Sequence, residues 1–207
     1  MTTAFGLRPV KNRHGAPYTG GNIVRCYVPS SDSNAIYIGD AVELVAMSGA
    51  SASGANPEGR PTIKRYVNGD SVCDGVVMSV EPVLGIVPGT ENLTRLHRPA
   101  STAAFINVLM DPSVVFDVAV DSSGFSATTG LIGANVDLTM TAGSTVTGLS
   151  AAVVAHTSAA TTATLPFKIV DLGQDIVGNT LPTTGGSIIR VIMNTGIDNS
   201  QTGSTSF

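Results

Sequence analysis

Alternation with period two is the feature that most constrains this chain. Val24, Cys26 and Val28 alternate with Ile23, Arg25 and Tyr27, and Val42, Leu44 and Ala46 alternate with Ala41, Glu43 and Val45. Val76, Met78 and Val80 oppose Val77, Ser79 and Glu81, while Val114, Phe116, Val118 and Val120 oppose Val115, Asp117, Ala119 and Asp121. The pattern returns in Val136, Leu138 and Met140 and in Ile189, Val191 and Met193. Successive side chains of a strand point to opposite faces, so each first-named set is the expected core face of a strand. No segment sustains a helical period, and only 126–135 is compatible with a short helical turn.

Turn chemistry punctuates these runs. Asn68-Gly69 supplies two residues that tolerate positive φ and predicts a hairpin joining 62–67 to the next strand. Asp111-Pro112 predicts a turn between 105–110 and 114–120, because proline pre-sets its own φ. About ten short strands with such turns predict an all-β protein, an antiparallel β-sandwich of jelly-roll-like form or a barrel. The expected organisation is an extended N-terminal arm over 1–21, a single β-rich body over 22–198 with loop excursions at 47–61 and 141–164, and a flexible tail over 199–207.

The chain has 207 residues, long enough for one sizeable core. Hydrophobic residues make up 43% and charged residues only 13%, against about 25% in ordinary soluble domains. A surface short of charge suggests an exterior covered by other protein, although Ser, Thr and Gly also solvate a surface without charge. No apolar run reaches the length of a membrane span, and no apolar block follows the N-terminal charges as in a secretory signal. The expectation is therefore a protein that works in the cytoplasm where it is made, with no membrane partner. Cys26 and Cys73 lack metal or redox spacing and read as small buried apolar groups.

The inventory for catalysis is thin. His14, His97 and His156 have no acid neighbour at ligand or triad spacing, and no nucleophile elbow, phosphate loop or zinc-protease motif occurs. Asp117, Asp121 and Asp137 fall on the outward faces of strands, where a solvated polar face is expected. No enzyme activity, cofactor or metal is expected. Clustered positive charge is confined to short stretches at 8–13, 60–65 and 95–98, there is no Trp, and the net charge is -4, so a nucleic-acid partner is not expected either.

Two arginine-bearing segments lack periodicity: "FGLRPVKNRHGAPYTGG" at 5–21 and "ENLTRLHRPAST" at 91–102. Guanidinium groups present fork-shaped donors suited to carboxylates of a partner protein. Phe5, Leu7 and Tyr18 are then candidate apolar anchors, and Arg8, Lys11, Arg13, His14, Arg95, His97 and Arg98 candidate polar contacts.

The stretches "FGLRPVKNRHGAPYTG", "IYIGDAVEL", "HRPASTAAFINVLMDPSVVFDVAVD", "AATTATLPFKIVDLG" and "IIRVIMNTG", taken in that order, resemble a family of tailed-bacteriophage virion proteins found beside the major capsid protein and described as capsid decoration or cement proteins. The resemblance implies a jelly-roll-like or barrel-like body on the capsid exterior, a homo-oligomer (dimer or trimer), the major capsid protein as partner, and extended arms over the shell. It implies no catalytic residues. The competing expectation is a virion-surface module that binds a host receptor or glycan with the same scaffold.

Overall fold

The computed structural model describes residues 4–45, 59–81 and 96–194. The strands are β1 (Arg8–Asn12), β2 (Ile23–Val28), β3 (Ala41–Leu44), β4 (Ile63–Arg65), β5 (Gly75–Val80), β6 (Ala104–Leu109), β7 (Val114–Ala119), β8 (Asn135–Val136), β9 (Leu138–Thr139), β10 (Val153–Val154), β11 (Phe167–Asp171) and β12 (Ile188–Met193). Among the described residues the one helical element is a 3-10 turn at His156–Ser158, so 126–135 folds as turns and not as helix.

Two antiparallel five-stranded sheets form, consistent with the β-sandwich expected. Sheet I has the order β1-β7-β12-β11-β8 and sheet II the order β2-β6-β5-β3-β4, with β9 and β10 as a separate pair. The main core unites Val114, Phe116, Val118, Phe167, Ile169, Ile189 and Val191 of sheet I with Ala41, Val76 and Leu109 of sheet II. A second cluster lies on the opposite face of sheet II, where Cys26, Val28, Val42, Ile63, Val77, Ile106 and Val108 surround Ile36. Sheet II buries both faces because it curls: β2 meets β4 through a single parallel bridge between Tyr27 and Thr62, and the Tyr27 N–H donates to the Pro61 carbonyl at 2.8 Å. A register irregularity between Val77 and Ser79 adds bend to β5. The sheet stops short of a closed barrel, so the barrel alternative is set aside.

The alternating patterns located core faces well. Cys26, Val28, Val42, Val76, Val114, Phe116, Val118, Val136, Leu138, Ile189 and Val191 are all buried. Val24 departs from the pattern at 37% exposure, because it lines an open cleft instead of the core. The outward face of β7 also departs. Val115, Asp117 and Ala119 are buried, since β7 lies between β1 and β12 and arginine side chains from both neighbours close over Asp117.

Both turns join the strands expected, β4 to β5 and β6 to β7, but neither pair of strands is hydrogen-bonded to each other. β4 and β5 both pair with β3, one on each side, so the Asn68-Gly69 segment crosses the end of β3 and is not a two-residue hairpin. It docks instead on the far side of the core, where the Gly69 N–H donates to Asp137 and the Asn68 side chain accepts from the Met140 N–H. Asp111-Pro112 does turn the chain, and in doing so carries it from sheet II to sheet I. The segment 141–164 is tied to the body through β10, the 3-10 turn and bridges Ile38–Leu149 and Asn135–Ala160. Most of the 47–61 excursion and the whole 199–207 tail lie outside the described residues.

The largest correction concerns the N-terminal arm. Residues 8–12 form the edge strand of sheet I, pairing antiparallel with β7 from Arg8–Asp117 to Asn12–Val114. Leu7 is 2% exposed within the main core, and its N–H donates to the Gly39 carbonyl at 2.9 Å. Gly6 makes this approach possible: its φ is +74°, and a Cβ there would fall 2.5 Å from the Ser150 Cβ and 2.6 Å from the Gly39 oxygen. The chain then folds back on β1, with the Asn12 N–H donating to Ala16 O at 2.7 Å and the Tyr18 N–H to Val10 O at 3.1 Å. Proline and positive charge, which made this stretch read as an arm, are the residues that suit an edge strand.

Candidate functional site

The candidate contact residues separate into internal and surface groups. Leu7 is core, and Tyr18 packs its ring against that core while its hydroxyl donates to Gly21 O at 3.2 Å. Arg98 is fully buried. Its guanidinium donates to the backbone carbonyls of Thr102 at 2.6 Å, Pro29 at 2.8 Å, Asp32 at 2.9 Å and Asn34, and the Asp32 carboxylate lies 3.6 Å away. Four of its five N–H donors are hydrogen-bonded inside the chain and the side chain is fully buried, so Arg98 is a clip for loops 29–36 and 96–102 and is not presented to a partner. His97 stacks on Tyr37, with ring centroids 5.0 Å apart and planes 8° apart. Arg95 lies outside the described residues.

Arg8 and Lys11 belong to an ionic ladder over sheet I. Arg8 donates to Asp117 at 3.0 Å and its guanidinium sits 4.9 Å from the centre of the Phe5 ring. Arg190 bridges Asp117 at 3.2 Å, Asp171 at 2.8 Å and Asp175 at 2.7 Å, and Lys11 approaches Asp171 at 3.9 Å. Burial alone would raise the Asp171 carboxyl, but the Arg190 hydrogen bond, the Gly173 N–H and the nearby Lys11 charge hold it below the usual carboxylate range.

Arg13 and His14 are different. They sit exposed at the tip of the turn joining β1 to the segment 16–18 that folds back on it, and the Arg13 N–H donates to the Ser113 carbonyl at 2.7 Å. That bond sets the tip against the Asp111-Pro112 corner, which also forms one wall of an open cleft of about 550 Å³ lined by Asn22, Val24, Leu44, Pro61, Met110, Asp111 and Pro112. Asp111 is occupied locally. It accepts from the Ser113 N–H and hydroxyl and from Asn22, and these bonds outweigh burial to lower its pKa. One end of the sandwich therefore presents an apolar hollow beside two exposed basic side chains. The cleft had no sequence signal, because Val24, Leu44, Pro61 and Met110 come from separate elements.

Groups capable of chemistry elsewhere are mostly tied up. Asp40 is fully buried, accepting from Arg65 at 3.0 Å, from the Tyr37 N–H at 2.9 Å and from the Ser150 hydroxyl. Asp137 is no solvated strand-face acid, since it accepts from the Tyr66 hydroxyl and the Gly69 N–H. In an acidic recess lined by Glu43, Asp70 and Asp74, Lys64 reaches Glu43 at 2.6 Å and Asp70 at 3.9 Å. The sequence missed one pair: His156 Nδ1 lies 2.6 Å from Asp121 Oδ2, and the His156 N–H donates to the same oxygen at 3.0 Å. The two residues stand 35 positions apart and meet only because β7 and β10 come together at the Val120–Val154 bridge. Among the described residues no group of three or more His, Cys, Asp or Glu side chains is placed to hold a metal ion. No described helix is long and apolar enough to cross a membrane.

Comparison with protein-family models, with curated proteins and with solved structures finds no match to this chain.

Proposed function

We propose that this chain is a structural virion protein that binds the outer surface of a tailed-phage capsid and stabilises it by bridging major capsid subunits. The ordered set of motifs that resembles the decoration-protein family supports this reading. The observation that carries it is the pairing of an apolar cleft with the exposed Arg13 and His14, at one end of a molecule whose other described arginines are largely engaged within the chain. Such an end suits a shell surface that offers apolar side chains beside carboxylates. Burial supplies affinity, and charge complementarity orients the encounter. A standard interface takes about 800 Å² from each partner, and a multi-copy assembly turns modest single contacts into slow release.

The receptor or glycan alternative has less support. Every Phe and Tyr ring among the described residues is buried or half-buried, so the described surface offers no fully exposed Phe or Tyr ring for stacking on a sugar.

The test is co-sedimentation with shells of the major capsid protein from the same phage. Wild-type protein is expected to pellet with shells. A variant carrying Val24→Asp, Arg13→Glu and His14→Glu is expected to remain in the supernatant while melting as wild type does. Equal pelleting of the two proteins, or failure of the wild type to pellet, overturns the reading.

A further inference from the structure

Residues 5–18 behave as a unit with its own hydrogen bonds. Besides the Asn12–Ala16 and Tyr18–Val10 bonds, the Gly15 N–H donates to Asn12 O at 2.8 Å, and Lys11 bridges Pro17. This hairpin belongs to sheet I, while β2, which follows it, belongs to sheet II. The connection between them turns on three consecutive residues with positive φ: Gly20 at 87°, Gly21 at 134° and Asn22 at 52°. A Cβ added at Gly20 or Gly21 would meet no atom within 4 Å, so packing does not demand glycine there and backbone conformation does. Asn22 is one of two described non-glycine residues in the left-handed region, where a side chain is disfavoured.

We propose that the 5–18 hairpin is exchangeable: it opens at Gly20–Asn22 and seats on β7 of a second copy of this chain. The occupant follows from self-complementarity. The receiving surface, which comprises the β7 edge, the Leu7 site in the core, Asp117 and Asp171, is the same in every copy, so the β1 ladder, the Arg8–Asp117 bond and the Lys11–Asp171 contact re-form between chains as they stood within one. Closed and exchanged forms then differ mainly at the hinge, where opening lets Asn22, the one hinge residue of the three that carries a side chain, leave its left-handed conformation. A short hinge that holds Asn22 in a disfavoured conformation between two well-packed units is the condition that favours such exchange. The inference concerns how copies associate with one another and stands independently of capsid binding.

The test uses the purified full-length protein without shells. Asn12 and Val114 are directly opposite across β1 and β7, and the Asn12 N–H points away from β7 to Ala16, which makes them a non-hydrogen-bonded pair with close side chains. An Asn12→Cys/Val114→Cys variant is separated by size, oxidised and run on a non-reducing gel. Exchange predicts interchain disulfides in the oligomer fraction and intrachain disulfides in the monomer fraction. Inserting three residues after Gly21 in the otherwise unaltered chain gives the hinge slack and is expected to remove most of the oligomer. Oligomers that carry only intrachain disulfides overturn the proposal, as does an oligomer unaffected by the insertion or a wild type that stays monomeric at every concentration.

Discussion

Arg8 Nη2 lies 3.0 Å from Asp117 Oδ2, tying the edge strand to a carboxylate that is itself 2% exposed. Arg190 Nε approaches the other oxygen of that carboxylate at 3.2 Å from the opposite neighbour, β12. A buried charge is tolerated only when paired and hydrogen-bonded, and here guanidiniums from both flanking strands do the pairing. The outermost strand is thus part of the sandwich.

The N-terminal segment contributes to stability mainly through Leu7, which precedes β1, and little through Arg8. Leu7→Ala is expected to cost about 2–5 kcal/mol in urea denaturation, the range for a buried leucine. The Arg8 side chain is more than half exposed, so Arg8→Ala is expected to cost under about 1 kcal/mol. Removal of residues 1–21 is expected to lower the melting temperature sharply, because it uncovers the β7 edge and empties the Leu7 site. Equal effects of Leu7→Ala and Arg8→Ala contradict this account.

Arg98 is expected to be among the most sensitive positions. Arg98→Ala leaves the carbonyls of Pro29, Asp32, Asn34 and Thr102 without that donor and is expected to cost about 3–5 kcal/mol, as for a broken buried pair. Arg98→Lys is expected to rescue little of it, since an ammonium is a compact charge and lacks the planar fork. Thermal melting of the two variants checks both statements, and full rescue by lysine excludes the clip.

Stability is expected to fall on the acid side through a few identifiable carboxylates. For Asp121, burial raises the pKa but the His156 ring and N–H and the Ser123 N–H outweigh it, so the folded value lies below the usual one. Asp111 and Asp171 are likewise lowered. A carboxylate with a depressed folded pKa adds stability that is full above its unfolded value, about 3.9, and is lost as pH falls through the folded value. Asp121→Asn is therefore expected to lower stability at pH 7 while flattening the decline between about pH 4 and the acid limit. Melting temperature measured against pH reads this, and an unchanged slope counts against the His156–Asp121 pair.

Both thiols are expected to be inert in the native protein. Cys26 and Cys73 are buried, and burial pushes their pKa values up to about 11 and about 12, away from the reactive thiolate. A thiol reagent is expected to label neither until denaturant is added. Rapid labelling of the folded chain contradicts the core placement of these residues.

Legibility in the sequence followed the range of each interaction. Val114, Phe116 and Val118 declared the inner face of β7 because strand periodicity is local, and the cysteines read correctly as small core residues. Arg8–Asn12 carries no strand signature because an edge strand needs neither strict alternation nor freedom from proline. Arg98 looked like a surface donor because a cage of backbone carbonyls leaves no mark in composition, and its members come from loops more than 60 positions away as well as from Thr102. The cleft beside Arg13 and the His156–Asp121 pair depend on segments that only the fold assembles, so no local pattern announced either.

Cryo-electron microscopy of phage particles tests the central claim most directly. The account predicts density for this chain on the capsid exterior, with the end that carries Arg13, His14 and the Val24–Met110 cleft turned toward the shell. Absence of the chain from the particle, or attachment through the opposite end, where the loop between β11 and β12 exposes Val177 and Leu181, would contradict it.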